Sequence, residues 1–271
     1  MIGHKDKVAL FKKLADGDNL SQGYLFFGEP QIGKFVFAES LANYLENNIF
    51  EPPKRILEEL LVISPDEKNL IGIEAARNIA HFLYQKPVFS KQRTLIVRDA
   101  QCLSSEAQNA ILKIIEESPN QSLVIFIASS EEDLLPTIVS RLQKIYFFRV
   151  PISEIEDFLV LNFLSKKISR EKIKSAANES FGRPGRAIDL LTGKDFDKIK
   201  KIIKNFKLEN IDDIIDNDLI DKFFETLIIE LYKDLDNNIE SLKEVFKRLV
   251  LIKRFNVNKK LQLKCLEGAM S

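Results

Sequence analysis

Tyr24-Leu25-Phe26-Phe27-Gly28-Glu29-Pro30-Gln31-Ile32-Gly33-Lys34-Phe35 is the stretch on which the reading of this chain turns. An apolar run leads into Gly-x-x-x-x-Gly-Lys, and residues 36–45 continue with helical spacing. In a strand–loop–helix of this kind, backbone N–H groups and the lysine face an anion. Gly28, Gly33 and Lys34 are therefore the candidate phosphate-binding residues. A loop that works catalytically continues with Ser or Thr, whose hydroxyl ligates the Mg²⁺ bridging the terminal phosphates. Phe35 offers no oxygen, so the metal lacks its first ligand. The competing reading of the motif is an ordinary strand–helix turn.

Outward from the loop, apolar runs recur at residues 60–63, 94–97, 123–128 and 144–148. Helical spacing fills residues 36–45, 73–83 and 107–115 between them. This alternation predicts an α/β fold, a parallel sheet flanked by helices. The carboxyl ends of its strands, where residues 28–34 fall, are where such folds place ligands. After Pro151 strand-forming runs thin out and amphipathic helices follow, at 155–163, 170–177, 186–191 and 196–206. Beyond an acidic stretch, 208–218, longer helical patterns cover 220–235 and 239–255, with Asp236-Asn237-Asn238 as the expected turn. The organisation this implies is an α/β nucleotide-binding-like domain at 1–150, a small helical domain at 151–207 and a helical domain at 208–271.

Composition narrows the function. In 271 residues, 45% apolar, there is material for two or three packed domains. Lys plus Arg and Asp plus Glu number 40 each, so no bulk basic field announces nucleic acid as the main partner. Cys102 and Cys265 stand far apart without CxxC spacing, the usage of a disulfide-free cytoplasmic protein. The first residues, Met1-Ile2-Gly3-His4-Lys5-Asp6-Lys7, lack a signal-peptide core, and no run suits a membrane span. A soluble protein without a membrane partner is expected.

Three further segments carry chemistry. Thr94-Leu95-Ile96-Val97-Arg98-Asp99-Ala100-Gln101 is an apolar strand ending in an acid, where an active ATPase holds Mg²⁺ with a second acid beside it. Here Ala100 and Gln101 follow Asp99, and the alternative for Asp99 is a plain helix-start or loop residue. In Ser104-Ser105-Glu106-Ala107-Gln108-Asn109-Ala110-Ile111-Leu112-Lys113-Ile114-Ile115-Glu116-Glu117-Ser118-Pro119, a serine caps a helix with an apolar face. Glu116 and Glu117 at its end oppose the helix dipole and hint at an outside partner. Finally, Asp133-Leu134-Leu135-Pro136-Thr137-Ile138-Val139-Ser140-Arg141-Leu142-Gln143 enters the last strand. Arg141 is either a surface residue in an intramolecular ion pair or an arginine finger aimed at a neighbouring subunit's nucleotide, a role worth roughly 10³–10⁵ in rate.

Taken in order, Gly-Glu-Pro-Gln-Ile-Gly-Lys, Asp-Ala, Ala-Gln-Asn-Ala-Ile-Leu-Lys-Ile-Ile-Glu-Glu-Ser-Pro and Leu-Leu-Pro-Thr-Ile-Val-Ser-Arg resemble the delta-prime family of bacterial DNA polymerase III clamp-loader subunits. The resemblance covers residues 1–193; the remainder matches only as a helical domain of suitable length. It implies an AAA+ P-loop module, a helical lid and an all-α C-terminal collar that assembles a five-subunit ring. Such a subunit has no ATPase activity of its own, and Ser140-Arg141 supplies the finger in trans to an adjacent motor subunit. Leu142 stands where the family has a cysteine. The implied partners are the ATPase motor subunits, a delta-like subunit, the sliding clamp and primed DNA.

The resemblance requires no cofactor: ATP binding is weak or absent, and zinc is not expected because the region 47–65 lacks the family's four cysteines. Gly185 occupies the lid position where motors carry a phosphate-sensing arginine, leaving Arg183 and Arg186 as surface caps or pairs. Ser129 and Ser130, at the motors' polar sensor position, are read as loop residues. The alternatives are an ATP-hydrolysing motor subunit of the same machine and a free-standing nucleic-acid-binding protein.

Overall fold

A computed structural model describes residues 1–117, 119, 121–164, 168–193, 199–203, 211–216, 219–255 and 257–270. These group into two compact units, residues 1–187 and 188–271. Five parallel strands form one sheet in the first unit: β1 (Gly23–Phe27), β2 (Leu60–Ile63), β3 (Arg93–Val97), β4 (Ser122–Ala128) and β5 (Gln143–Tyr146), in the order β2-β3-β4-β1-β5. The helices around them are α1 (Lys5–Asp16), α2 (Lys34–Asn47), α3 (Ile73–Leu83), α4 (Ser105–Glu117) and the single turn α5 (Pro136–Val139). Helices α6 (Ile152–Phe163), α7 (Arg170–Glu179) and α8 (Pro184–Thr192) follow, and the boundary between the units falls within α8.

Strand side chains alternate faces, and this divides the sheet's core in two. Leu25, Leu95, Val97, Val124 and Phe126 pack with Ala76, Ile79 and Leu83 of α3, Ala107, Ile111 and Ile114 of α4, and Ile138 of α5. Tyr24, Phe26, Ile96, Leu123, Ile125 and Ile127 pack with Phe11 of α1 and Phe37, Ala38 and Leu41 of α2. The sequence periodicity names no element for residues 5–16. The segment is lysine-rich, and only Phe11 and Ala15 of α1 are buried. Strand β5 ends at Tyr146, earlier than expected, although the Phe147 N–H still donates to Phe27 O at 2.8 Å.

At the amino ends of β2 and β3 a buried carboxylate, Glu59, accepts the N–H groups of Val88 (2.5 Å) and Phe89 (3.1 Å). Arg93 Nε lies 3.2 Å from its second oxygen, and the Arg93 guanidinium stacks on Phe82. The buried charge is thus neutralised by Arg93 and hydrogen-bonded through one of its two oxygens, which offsets much of the cost of burying it.

The second unit is helical around a core that includes Ile199, Ile202, Ile211, Ile214, Phe223, Phe224, Leu227, Val245, Leu263 and Leu266. Parts of the expected helix 196–206 and of the acidic stretch 208–218 lie outside the described residues. Asp236-Asn237-Asn238 is not the turn the sequence suggests: the helices Ile220–Tyr232 and Leu235–Arg254 part at Lys233-Asp234. The asparagines serve the helix start instead. Asn237 Nδ2 donates to Asp234 Oδ2, and Asn238 Nδ2 reaches back to Leu231 O.

Phe37 ties its core together. It is fully buried, with ring centroids 5.2–5.6 Å from those of Phe11, Phe26, Phe50 and Phe147. Phe37→Ala is expected to lower stability by about 3–5 kcal/mol. Urea unfolding followed by circular dichroism measures this; a loss below about 1 kcal/mol would show that the cluster does not act as one packed unit.

Candidate functional site

The loop between β1 and α2 is shaped by backbone conformations that few side chains tolerate. Gly28 has φ 133° and Gly33 φ 100°, with Gln31 at φ 63°. A Cβ on Gly28 would lie 2.6 Å from the carbonyl oxygen of Phe147, so close approach to the neighbouring chain demands glycine there. Ile32 is buried in the aromatic core and anchors the loop's middle. Lys34 begins α2, and its ammonium turns back onto the carbonyl oxygens of Gly28 and Glu29, the latter at 2.7 Å. Burial pulls the Lys34 pKa down to about 8, against the opposing charges of Asp99, Glu29 and Asp133. The structure therefore brings Gly28, Gly33 and Lys34 together at the carboxyl end of β1.

Two further donors grip the same loop, and neither is legible in the motif. His4 Nε2 lies 2.9 Å from Ile32 O, its ring edge-on to Phe147. The neutral Nε2–H tautomer makes this a donor, and burial lowers the His4 pKa, which favours that form. Gly185, in the first turn of α8, donates its N–H to Gln31 O at 2.9 Å. A Cβ on Gly185 would stand 3.1 Å from both Cβ and O of Gln31, so the absence of a side chain permits this approach.

The flank where a motor holds its metal carries side chains of another character here. The Phe35 ring carries the Arg98 guanidinium 4.3 Å from its centroid, a cation–π contact. Arg98 leaves the end of β3, where its N–H donates to Ile63 O. Its charge also bears on Glu39, whose carboxyl is pushed up mainly by burial. Asp99 sits in the left-handed region, φ 47°, at the start of a one-turn 3-10 helix, without a side-chain capping bond. Among the described residues no cluster of three His, Cys, Asp or Glu side chains could hold a metal ion. Ser130 caps the turn 131–133, donating its N–H to Asp133 Oδ2 at 2.8 Å.

The lid segment differs from the expectation in one respect. Arg186 is not a surface residue: it is 1% exposed, and its Nε donates to Glu179 O at the end of α7. Buried there and bonded to the last residue of α7, it closes the α7–α8 junction from inside. Arg183 Nε donates to Ser180 O at 3.3 Å across the same turn.

Arg141 lies away from the loop, between α5 and β5. Its Nη2 is 2.6 Å from Glu116 Oε1, at the carboxyl end of α4, and its Nη1 donates to Thr137 O at 2.8 Å. Both side chains are about two-fifths exposed. The intramolecular ion pair weighed for Arg141 is therefore present, with a guanidinium that solvent still reaches. Helix α5 is fixed by Gln108 of α4, whose Oε1 accepts the Leu135 N–H at 2.9 Å. Leu142 is core: a Cβ on Gly23 of β1 would meet its Cδ2 at 2.6 Å.

Comparison with known proteins gives consistent neighbours. The family model described as DNA polymerase III, delta subunit matches residues 3–151. The gamma/tau subunit of DNA polymerase III from Mycobacterium tuberculosis is 27% identical over 56% of this chain and 28% of its own length. The delta' subunit from Escherichia coli is 29% identical over 49% of this chain and 40% of its own. Replication factor C subunit 3 of Saccharomyces cerevisiae is 27% identical over 81% and 61%. The chain thus spans between about a quarter and three fifths of the length of these curated relatives. Among solved structures, a gamma subunit-related protein of Thermotoga maritima superposes with TM-score 0.55 at 22% identity, covering 95% of this chain and 97% of that one. The RuvB Holliday junction branch migration motor of the same organism gives 0.52 at 16%, covering 75% and 62%. At such identities the likeness shows the fold alone, a five-stranded parallel sheet with flanking helices.

Lys34 provides a test of the loop's electrostatics. Its folded pKa of about 8 lies below the ordinary 10.5, so between these values the unfolded chain holds the proton and the native chain does not. Stability contributed through this group therefore rises with pH across that window. Lys34→Met is expected to gain less stability than the parent between pH 8 and pH 10, read from urea midpoints. Equal gains in the two proteins would contradict the buried ammonium.

Proposed function

The chain belongs to the DNA polymerase III delta-subunit family, and from that premise we propose that it is a non-catalytic clamp-loader subunit that lends Arg141 to a neighbouring ATPase. One observation carries the proposal: where a motor's loop offers a hydroxyl to Mg²⁺, this chain has the Phe35 ring with the Arg98 guanidinium stacked on it. A fixed positive charge beside Lys34 repels a divalent cation and leaves a metal-bridged triphosphate without its coordinating oxygen. The loop's own lysine is engaged with the carbonyls of Gly28 and Glu29, and α8 is bonded to Gln31. Both features support a subunit that holds one shape instead of opening and closing around ATP.

Arg141 then acts on a neighbour. In a ring of such modules, hydrolysis at one subunit's phosphates is accelerated when an arginine from the next neutralises charge developing on the transferred phosphoryl group. Arg141 has the exposure for that role, just past a helix turn whose start is held by Gln108. For assembly, the helix Leu235–Arg254 supplies a surface: Leu235, Ile239, Phe246 and Val250 are each 40–50% exposed and share one face. We assign that stripe to contact with the corresponding helical domains of the other subunits, which act together on the sliding clamp and primed DNA. A motor subunit of the same machine is the second reading, favoured by the retained Gly28, Gly33 and Lys34 and by the gamma/tau relatives.

The two readings separate in solution. The purified chain is expected to show no Mg²⁺-dependent ATP turnover above background; a clear rate abolished by Lys34→Met would make it a motor. In the reconstituted loader, Arg141→Ala is expected to lower hydrolysis stimulated by clamp and primed DNA at least several-fold. Its effect on the chain's own stability should stay within about 1 kcal/mol, the range of exposed ion pairs. Hydrolysis unaltered by Arg141→Ala rejects the finger.

A further inference from the structure

The Arg141 guanidinium is held from two directions. Nη1 takes Thr137 O at 2.8 Å and Ser140 Oγ at 3.4 Å, both from the turn that carries the arginine. Nη2 takes Glu116 Oε1 at 2.6 Å, from a different helix. Glu116 is thus the one of these partners that ties the arginine to another part of the subunit. Its placement is unfavourable on its own account: it lies in the last turn of α4 beside Glu117, where no basic residue occurs and helix carbonyls already make the potential negative. The cation that compensates Glu116 is Arg141.

We infer that Glu116 is a positioning residue whose carboxylate holds Arg141 on its own subunit and has to be released before the arginine can engage a neighbour's phosphates. This rests on Arg141 acting in trans, as proposed above. A phosphate oxygen and the Glu116 carboxylate compete for the same Nη2 donor. When the phosphate wins, Glu116 is left uncompensated at the helix end and repels the same anionic nucleotide. Each exchange therefore opposes deployment of the finger. Both side chains are accessible enough for exchange to be rapid, and pairs of this exposure shift equilibria by only about two- to ten-fold. The pair is weak enough to yield when clamp and DNA draw the subunits together. It is strong enough to keep hydrolysis low when they are absent.

Glu116→Gln, Arg141→Ala and the double variant, each assembled into the reconstituted loader, test this by ATP hydrolysis with and without clamp and primed DNA. Glu116→Gln is expected to raise the rate without clamp and DNA by about two- to ten-fold while leaving the stimulated rate within about two-fold. Glu116→Asp, which keeps the charge, should lie between Glu116→Gln and the parent. The double variant should match Arg141→Ala alone, because Glu116 works only through the arginine; a purely structural glutamate would not give that match. An unstimulated rate that stays level or falls in Glu116→Gln, while Arg141→Ala still lowers the stimulated rate, overturns this inference and leaves the finger standing. A gain that persists in the double variant overturns it too. No effect of Arg141→Ala removes the finger and this inference together.

Discussion

The nucleotide-like loop is held by its own subunit, and much of the first unit is arranged around that fact. The carbonyl oxygens of Gly28 and Glu29 accept Lys34, Gln31 accepts Gly185, Ile32 accepts His4 and Gly33 accepts Phe37. These donors come from α2, from α8 and from the residue preceding α1, so three separate parts of the chain converge on one short turn. A backbone with its acceptors occupied is costly to rearrange, since each freed group in a buried setting loses a bond without gaining water. Lys34 completes the set at the cost of a buried ammonium with a lowered pKa.

Beside that turn, in the function proposed above, electrostatics takes the place of a motor's metal. A phosphate loop in a working enzyme draws its positive charge from Mg²⁺ and its lysine. Here the second positive charge is covalently attached, as Arg98 on the Phe35 ring. The family model over residues 3–151 places the chain with DNA polymerase III delta subunits, and this local chemistry is what supports the proposal of a supporting part over a driving one.

The middle of the sheet was readable in the sequence because β1, β3 and β4 are short and buried on both faces. Residues 60–63 and 73–83 coincide with β2 and α3, and the other strand cores fall inside the apolar runs. Gly28, Gly33 and Lys34 were readable because the motif encodes a backbone shape. Side-chain destinations were harder. Arg186 carries a charge that argues for the surface, yet its aliphatic stem and fork close a helix junction from within. Asn237 and Asn238 suggest a turn but sit in a helix's first turn, where their amides meet Asp234 and Leu231. Arg98, Phe35, Glu116 and Arg141 were each visible, but their pairings depend on tertiary geometry that no local spacing records. The same holds for His4, whose role follows from where α1 begins.

Strand β1 has the loop at one end and Gly23 at the other, with Gly23 pressed against Leu142, the residue after Arg141. Five extended residues span roughly 17 Å, and this strand is hydrogen-bonded on both sides, to β4 and β5. Mechanically it is a stiff rod laid through the middle of the subunit, with a tight bearing where glycine meets leucine. The loop and the base of the arginine are thus moored at opposite ends of one strand, and the hydrogen bonds along both its edges set the spacing between them.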